Sequence, residues 1–451
     1  MPSTAFDSAI FRDAFGTPDM RAVFSDDALV ARYVEVEVAL ARVQGRLGII
    51  PPEAAAAIAA SADPGKLDHA QLKTETDLVG YPIIGLVHQL QKQTGDAGRY
   101  LHWGATTQDI MDMATALQVR AALDLVGDDL QTLSNDLARL AEKHRATVMA
   151  GRTHLQHALP TTFGLKVAVW LSMIDRHRER LVQLRPRATM GQFGGAAGTL
   201  ASLGDKGLLV HDALMKELGL ATPAVPWHVA RDGLAEAVCF LGLVTGTLGK
   251  IATDVMLMMQ TEVAEVFEPF MPGRGASSTM PQKRNPISAE LMVAIARSVR
   301  QDTGLMLDAL AGSDHERATG PWHLEWIALP RAFIATAGAL HQAKFLAGGL
   351  IVDAARMRKN LDMTGGLIVA EAVMMALAEK IGRGTAHDLV YAACRRSLDT
   401  GTLLLDQLAK EPKVTSAIDA ASLARLVDPA CYLGSADEMI ARALASHARL
   451  A

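Results

Sequence analysis

From Asp26 to Gly48 the apolar residues Leu29, Val30, Tyr33, Val34, Leu40 and Val43 recur at three- and four-residue steps, which predicts an amphipathic helix. A second run, residues 109–143, holds no proline and carries Leu117, Leu125, Leu130, Leu133, Leu137 and Leu140. Unbroken, it makes a helix about 50 Å long at ~1.5 Å per residue. Helices of that length belong to elongated bundles rather than compact α/β domains. A third helix is expected over roughly 229–267, and its middle, "AVCFLGLVTGTLG" (237–249), carries no charge. Thirteen uncharged residues between Glu236 and Lys250 are too few to span a bilayer, so this helix is expected to be buried on all sides. Gly242, Gly246 and Gly249 would let neighbouring backbones come close, at a cost in helix propensity. A helix hidden all round in so elongated a chain implies that other subunits help to cover it. With no strand–turn–helix alternation, internal repeat or low-complexity linker, the pattern predicts an all-α oligomer.

Composition narrows this further. A chain of 451 residues exceeds what one hydrophobic core usually supports, so two or three domains are expected. Half the residues are hydrophobic, which excludes a largely disordered chain. A formal charge of -5 argues against a nucleic-acid partner. Cys239, Cys394 and Cys431 are widely spaced and odd in number, forming neither a disulfide framework nor a paired zinc motif; a reducing cytoplasm is the expected location. The N-terminal stretch MPSTAFDSAIFRDAF has acids and no cationic start before an apolar run, so no signal peptide is expected.

One segment breaks the helical pattern. "GRGASSTMPQKRNPIS" (273–288) concentrates glycines, hydroxyls and cations between restrictive prolines. A glycine-flanked loop exposes backbone N–H groups, which are natural donors to an anion. Ser277 and Ser278 lie here, with Lys283 six residues after Ser277 and Asn285 close behind. A serine acts as a base only where fixed positive charge and N–H groups stabilise its alkoxide. The same donors suit a dianionic carbanion intermediate. The plain alternative is a flexible surface loop with incidental cations, since loops are commonly built of such residues. No phosphate loop, S-x-x-K element at Ser277 or H-E-x-x-H motif is present.

"GASSTMPQKRNP" resembles the signature loop of the fumarase/aspartase superfamily. "HWGATTQDIMD" (102–112) resembles its first common region and "GRTHLQHALPTT" (151–162) its second, in the same order along the chain. "QFGGAAGTLASLG" (192–204), "PWHVARD" (226–232), "QTEVAEVFEP" (260–269) and "HERATGPWHLEW" (315–326) are most similar to the 3-carboxy-cis,cis-muconate cycloisomerase branch. The resemblance implies three helical domains, placed here at 1–105, 106–352 and 353–451. It also implies a homotetramer with a twenty-helix core and active sites built from three subunits. By the same resemblance Ser277 matches the catalytic base, with Lys283 and Asn285 as carboxylate-binding partners. Thr106 and Thr107 match residues that hold a substrate carboxylate, and His154 matches the general acid of several C–N lyases. Gln156, Ser278 and Met280 belong to the same motifs and are expected to bind substrate. No metal or organic cofactor, nucleic acid or membrane is expected, and the substrate is a small polycarboxylate.

Blander readings stand beside these. His154 can be structural, and "HLQH" would place His154 and His157 on one helical face as two metal ligands. Thr106 and Thr107 can cap the helix that begins near Asp109. Glu262 and Glu265 are expected to bridge neighbouring helices, and Arg231, Arg274, Arg284 and Arg317 are unranked candidates for further carboxylate contacts.

The expected reaction is a fumarate-releasing C–N lysis of an N-substituted aspartate, because a departing nitrogen needs a proton donor and His154 suits that role near neutral pH. The alternative is lactonisation of carboxymuconate, which has no leaving amine; some bacterial cycloisomerases carry tryptophan at this position. Adenylosuccinate lyase is a weaker match, since its additional histidine would fall in "TETDLVGY" (74–81), which has none. A structural role, as in lens crystallins recruited from the superfamily, is disfavoured by the intact loop.

Overall fold

A computed structural model describes residues 3–450. The Asp26–Arg46 helix starts at Ser25, whose hydroxyl accepts from the Ala28 N–H at 3.2 Å. Its apolar positions Val30, Tyr33, Val34, Leu40 and Val43 are buried. The Thr107–Lys143 helix is continuous over 37 residues, about 55 Å at ~1.5 Å per residue. Four further long helices follow: Phe163–Ala188, Asp232–Met259, Ile287–Ala311 and Pro321–Gly349.

The chain divides into two compact units. One comprises Met1–Leu130, His177–Gly249 and Leu291–Gln342; the other comprises Gln131–Arg176, Lys250–Glu290 and Ala343–Ala451. The division passes through all five long helices. In the first unit, Leu40, Ile58, Leu86, Leu90, Leu117 and Met215 lie in one core cluster. In the second, Val373, Leu377, Val390, Leu404, Leu408 and Leu423 pack together at its C-terminal end.

Two expectations change, and the single chain meets a third, burial of the 237–249 segment, over part of its circumference. The helix expected over 229–267 is Asp232–Met259. It ends where Gln260 accepts from Val263 N and Ala264 N, Ala264 turns left-handed (φ 49°), and Glu265 N returns to Met258 O at 2.9 Å. The chain then makes a short strand, Val266–Phe267, paired antiparallel with Ile351–Val352.

That helix is also not buried on all sides of the single chain. Leu243, Gly246, Lys250, Thr253 and Leu257 are exposed at helical spacing, with Leu243 at 54%. An added Cβ at Gly242 would meet Thr303 Oγ1 at 2.7 Å, and one at Gly249 would meet Ala296 Cβ at 2.9 Å. These two glycines therefore permit the close helix approach expected of them. Gly246, on the exposed stripe, faces open space. The Asp232–Met259 helix is long and apolar enough to cross a bilayer, but 61% of its apolar window is buried by protein. Its uncharged middle is a core feature on most of its circumference.

The second change is the "GRTHLQHALPTT" segment, which is not helical. Val148–Thr153 and Gln156–Thr162 form an antiparallel hairpin with an irregularity between Ala150 and Arg152. Neither strand alternates strictly between apolar and polar residues, so the segment carries no period-two signal to set it apart from the helices on either side.

Candidate active site

The Ser277 loop is closed at its neck by backbone. Asn285 N donates to Gly275 O at 2.9 Å, and Ala276 bridges Arg284. Gly275 is left-handed (φ +68°), and a Cβ there would lie 2.6 Å from Asn285 O, so any larger residue would open the neck. Beyond the neck the chain wraps around the serine oxygen. Ser277 Oγ accepts from Thr279 N at 3.3 Å and from Met280 N at 3.1 Å. These are N–H groups of the kind that lower the cost of negative charge on that oxygen. Lys283 N donates to Met280 O at 3.0 Å, and the Lys283 side chain lines a 160 Å³ cavity together with Arg274, Arg284 and Asn285. Ser278, Met280 and Lys283 are exposed.

The flanks of the loop are fixed. The buried Glu268 carboxylate accepts from Ser288 N at 3.2 Å and Ala289 N at 2.9 Å, capping the Ile287–Ala311 helix. Arg274 donates to Ser288 Oγ at 2.6 Å and stacks over Phe345; Arg284 donates to Glu268 O and lies over Phe267 and Phe270.

His154 and Leu155 are the two central residues of the hairpin turn, both left-handed (φ 50° and 64°), between the paired Thr153 and Gln156. Two consecutive positive φ values make the tight hairpin turn usually filled by Asn-Gly, so a His-Leu pair here stores backbone strain. Both side chains are exposed, Leu155 at 83%. The two-ligand metal reading of "HLQH" assumed a shared helical face; on the hairpin, His154 sits at the turn while His157 pairs with Arg152.

The base of the hairpin is braced by charge. Arg152 grips the buried Glu265 through two bonds, 2.8 and 2.6 Å, and Asn360 donates to the same carboxylate at 2.9 Å. Glu265 thus ties the Asp232–Met259 helix end to a strand through its ion pair and to the neighbouring Ala354–Leu361 helix through the Asn360 bond. Burial, then the Arg152 charge, pull the His157 imidazole below its ordinary range. Burial likewise lowers Lys166, which lines a 270 Å³ cavity with Arg152, Leu155, Asp254 and Gln260.

Thr106 and Thr107 lie in the first unit, at the start of the Thr107–Lys143 helix. The hydroxyl of Thr106 does not cap that helix: it accepts from Arg317 Nη1 at 2.9 Å, while Arg317 Nη2 donates to Ala196 O. Asp109 performs the terminal role instead, accepting from Thr106 N at 3.0 Å. Its buried carboxylate also accepts from Gly194 N and Gly195 N, each at 2.9 Å, and meets His228 Nε2 at 2.8 Å. One carboxylate therefore joins three of the segments singled out from sequence.

The geometry also ranks the arginines. Arg231 is fully buried and commits four of its five N–H donors to Asp112 and Glu325, through bonds of 2.5–2.8 Å, so its charge is already neutralised inside the protein. Arg317 is the one in contact with a proposed carboxylate-binding residue. Reading the motifs alone missed the His102–Glu37 pair, 2.6 Å apart. Burial would lower the His102 imidazole, but the bond and charge of Glu37, with the charge of Asp109, leave it raised. A signal was present: Glu37 falls on the apolar stripe of Asp26–Arg46, three residues after Val34 and three before Leu40, where a charge demands a partner.

A family model described as "Lyase" matches residues 14–300, and one described as "Adenylosuccinate lyase C-terminus" matches residues 366–443. The chain belongs to the fumarase/aspartase superfamily. Among solved structures, a fumarate lyase from Mesorhizobium sp. BNC1 is 52% identical with a TM-score of 0.91, covering 96% of this chain and 98% of that one. Trans-aconitate decarboxylase 1 of Mycosarcoma maydis is 48% identical over 98% of this chain and 90% of its own length. A 3-carboxy-cis,cis-muconate cycloisomerase of Pseudomonas aeruginosa is 47% identical over 97% of this chain and 96% of its own. This fumarase/aspartase superfamily enzyme is thus similar, over nearly its whole length, to proteins named for different reactions.

Proposed function

We propose that this enzyme releases fumarate from an N-substituted aspartate, an iminodisuccinate-like compound, by C–N cleavage. Ser277, entering as the alkoxide, takes the proton from the carbon beside a carboxylate. The electron pair left behind is delocalised into that carboxylate, which Lys283, Asn285 and backbone N–H groups hold. It then forms the C=C bond as the C–N bond breaks, its electrons passing to nitrogen, which takes a proton from His154. Thr106, Thr107, Gln156, Ser278 and Met280 bind the rest of the substrate. No metal or organic cofactor enters this sequence.

The observation that carries the C–N reading is the presentation of His154, exposed on a strained turn above a braced hairpin, with no hydrogen-bond partner among the described residues. A leaving amine gives such a donor a task; lactonisation does not. Lactonisation of carboxymuconate is the second reading, favoured by the cycloisomerase-like segments and by the 47% identical relative. A side-by-side ultraviolet assay separates them. Fumarate is expected to appear from iminodisuccinate, with carboxymuconate essentially untouched; rapid loss of the conjugated diene with no fumarate from any succinyl-amine would sink the C–N reading.

The proposal includes a cytoplasmic homotetramer of three-domain subunits, with boundaries near 105 and 352 and each site drawn from three subunits. The exposed Leu243 and Leu257 of the Asp232–Met259 helix support it, because leaving apolar surface in water is unfavourable by about 25 cal/mol per Å². Light scattering during size exclusion should give four times the 48.1 kDa chain mass. A fully active monomer would end both the assembly and the shared site.

A further inference from the structure

The Asp26–Arg46 helix buries a carboxylate that has one side-chain partner among the described residues. Glu37 is 1% exposed, and both its oxygens turn to His102: Oε2 accepts from the backbone N–H at 3.1 Å, and Oε1 lies 2.6 Å from Nδ1. Among the described residues no arginine or lysine pairs with it. We propose that Glu37 is a positioning residue of the active site. It fixes the His102 ring so that Nε2–H donates to the substrate carboxylate received at Thr106 and Thr107, a role that rests on reading those threonines as carboxylate ligands.

A carboxylate taken out of water needs a hydrogen-bonded counter-charge. The Nδ1 that meets Glu37 must carry a proton, because an ionised carboxylate only accepts. With that proton in place, a neutral ring would present a bare Nε2, whereas a protonated ring presents Nε2–H. The protonated form supplies the charge that Glu37 otherwise lacks. Burial pulls the imidazole down, but the bond and charge of Glu37, with the charge of Asp109 on the Thr107–Lys143 helix, leave it above its ordinary range. Nε2 itself has no partner among the described residues, and it is not sealed, since 23% of the side chain meets solvent.

The backbone sets this donor close to the threonines. His102 is left-handed (φ 60°), a conformation that histidine holds only where its surroundings impose it. It opens a turn in which Ala105 N donates to His102 O at 3.3 Å, and Thr106 follows directly. About two turns along the same helix from Glu37, Gln44 Nε2 donates to Trp103 O at 2.7 Å, so one helix holds both residues at the start of the turn. Arg317 already donates to Thr106 Oγ1. A guanidinium on Thr106 and an imidazolium four residues before it suit an ionised carboxylate, because charge-assisted hydrogen bonds are the strong ones.

Glu37→Gln keeps an acceptor for the His102 N–H and removes the charge. Fumarate and carboxymuconate are titrated calorimetrically into the intact enzyme; which of them binds bears on the reaction, while the variants bear on Glu37. For a ligand that the wild type binds, Glu37→Gln should raise the dissociation constant roughly 10–100-fold, the range of a hydrogen bond to a charged group. KM should rise with it while kcat stays within about threefold, as for an interaction made equally in ground and transition states. His102→Gln should weaken binding to the same degree and the double variant no further, because Glu37 acts through the ring. Wild-type affinity should fall as pH rises through the raised imidazole range, and that of Glu37→Gln at lower pH. Unchanged affinity and pH profile in Glu37→Gln, even beside a lower Tm, would reduce Glu37 to a structural brace and overturn the proposal. Additive losses in the double variant, unchanged affinity in His102→Gln, or a fall in kcat with KM unchanged would also overturn it. Binding of neither ligand by the wild type would remove the carboxylate reading of the threonines, and this role with it.

Discussion

Ser277→Ala is expected to lower turnover by roughly 10²–10⁴, the range that a proton-transfer group supplies. Stability should change by no more than about 0.5 kcal/mol, as for surface positions away from the core. The two effects separate because the hydroxyl holds no core contact. Its oxygen accepts only from Thr279 N and Met280 N, in a loop whose neck is closed independently by Gly275 and Asn285. Water replaces the lost acceptor for both N–H groups. Steady-state rates alongside thermal unfolding measure both quantities, and near-normal turnover on the natural substrate would remove Ser277 from the base role.

The largest effect on stability is expected at Arg231. Replacing it with methionine leaves Asp112 and Glu325 buried, facing one another without a counter-charge. Breaking a buried ion network in this way typically costs about 3–5 kcal/mol. Burial already pushes the Glu325 carboxyl upward against the pull of Arg231, so removing the guanidinium raises it further. An acid whose folded pKa lies above its unfolded value binds protons more tightly when folded. Its penalty is absent below the ordinary glutamate range and complete above the raised folded value. The variant's deficit should therefore grow from acid to neutral pH in denaturant titrations. A loss below about 1 kcal/mol at neutral pH would show that the network is not the brace it resembles, since typical single-core losses exceed that. Replacing all three residues with apolar ones of similar volume should recover much of the stability, because no charge is then left buried.

Local chemistry explains which parts were readable beforehand. Leucine spacing over 109–143, free of proline and glycine-poor, allows little except a long helix, and that helix is continuous. The "GASSTMPQKRNP" loop was legible because glycine and proline restrict backbone whatever lies around it. The "GRTHLQHALPTT" hairpin was not legible as strand. Its two-residue turn carries His-Leu where a glycine would have announced it, and pairing of Val148–Thr153 with Gln156–Thr162 has no helical-period signature.

The site shows the same division. Residue types and their order along the chain establish the helical class, the signature loop and a small set of candidate groups, because those depend on covalent geometry and side-chain chemistry. Which partner each group takes depends on residues far apart in sequence. Arg231 and Arg317 are equivalent as letters, yet one is sealed between Asp112 and Glu325 and the other reaches Thr106. Glu37 pairs with His102, and Asp109 gathers Gly194, Gly195 and His228. These choices were made by burial: a charge removed from water must find its complement wherever packing has brought one, and only the folded chain specifies where that is.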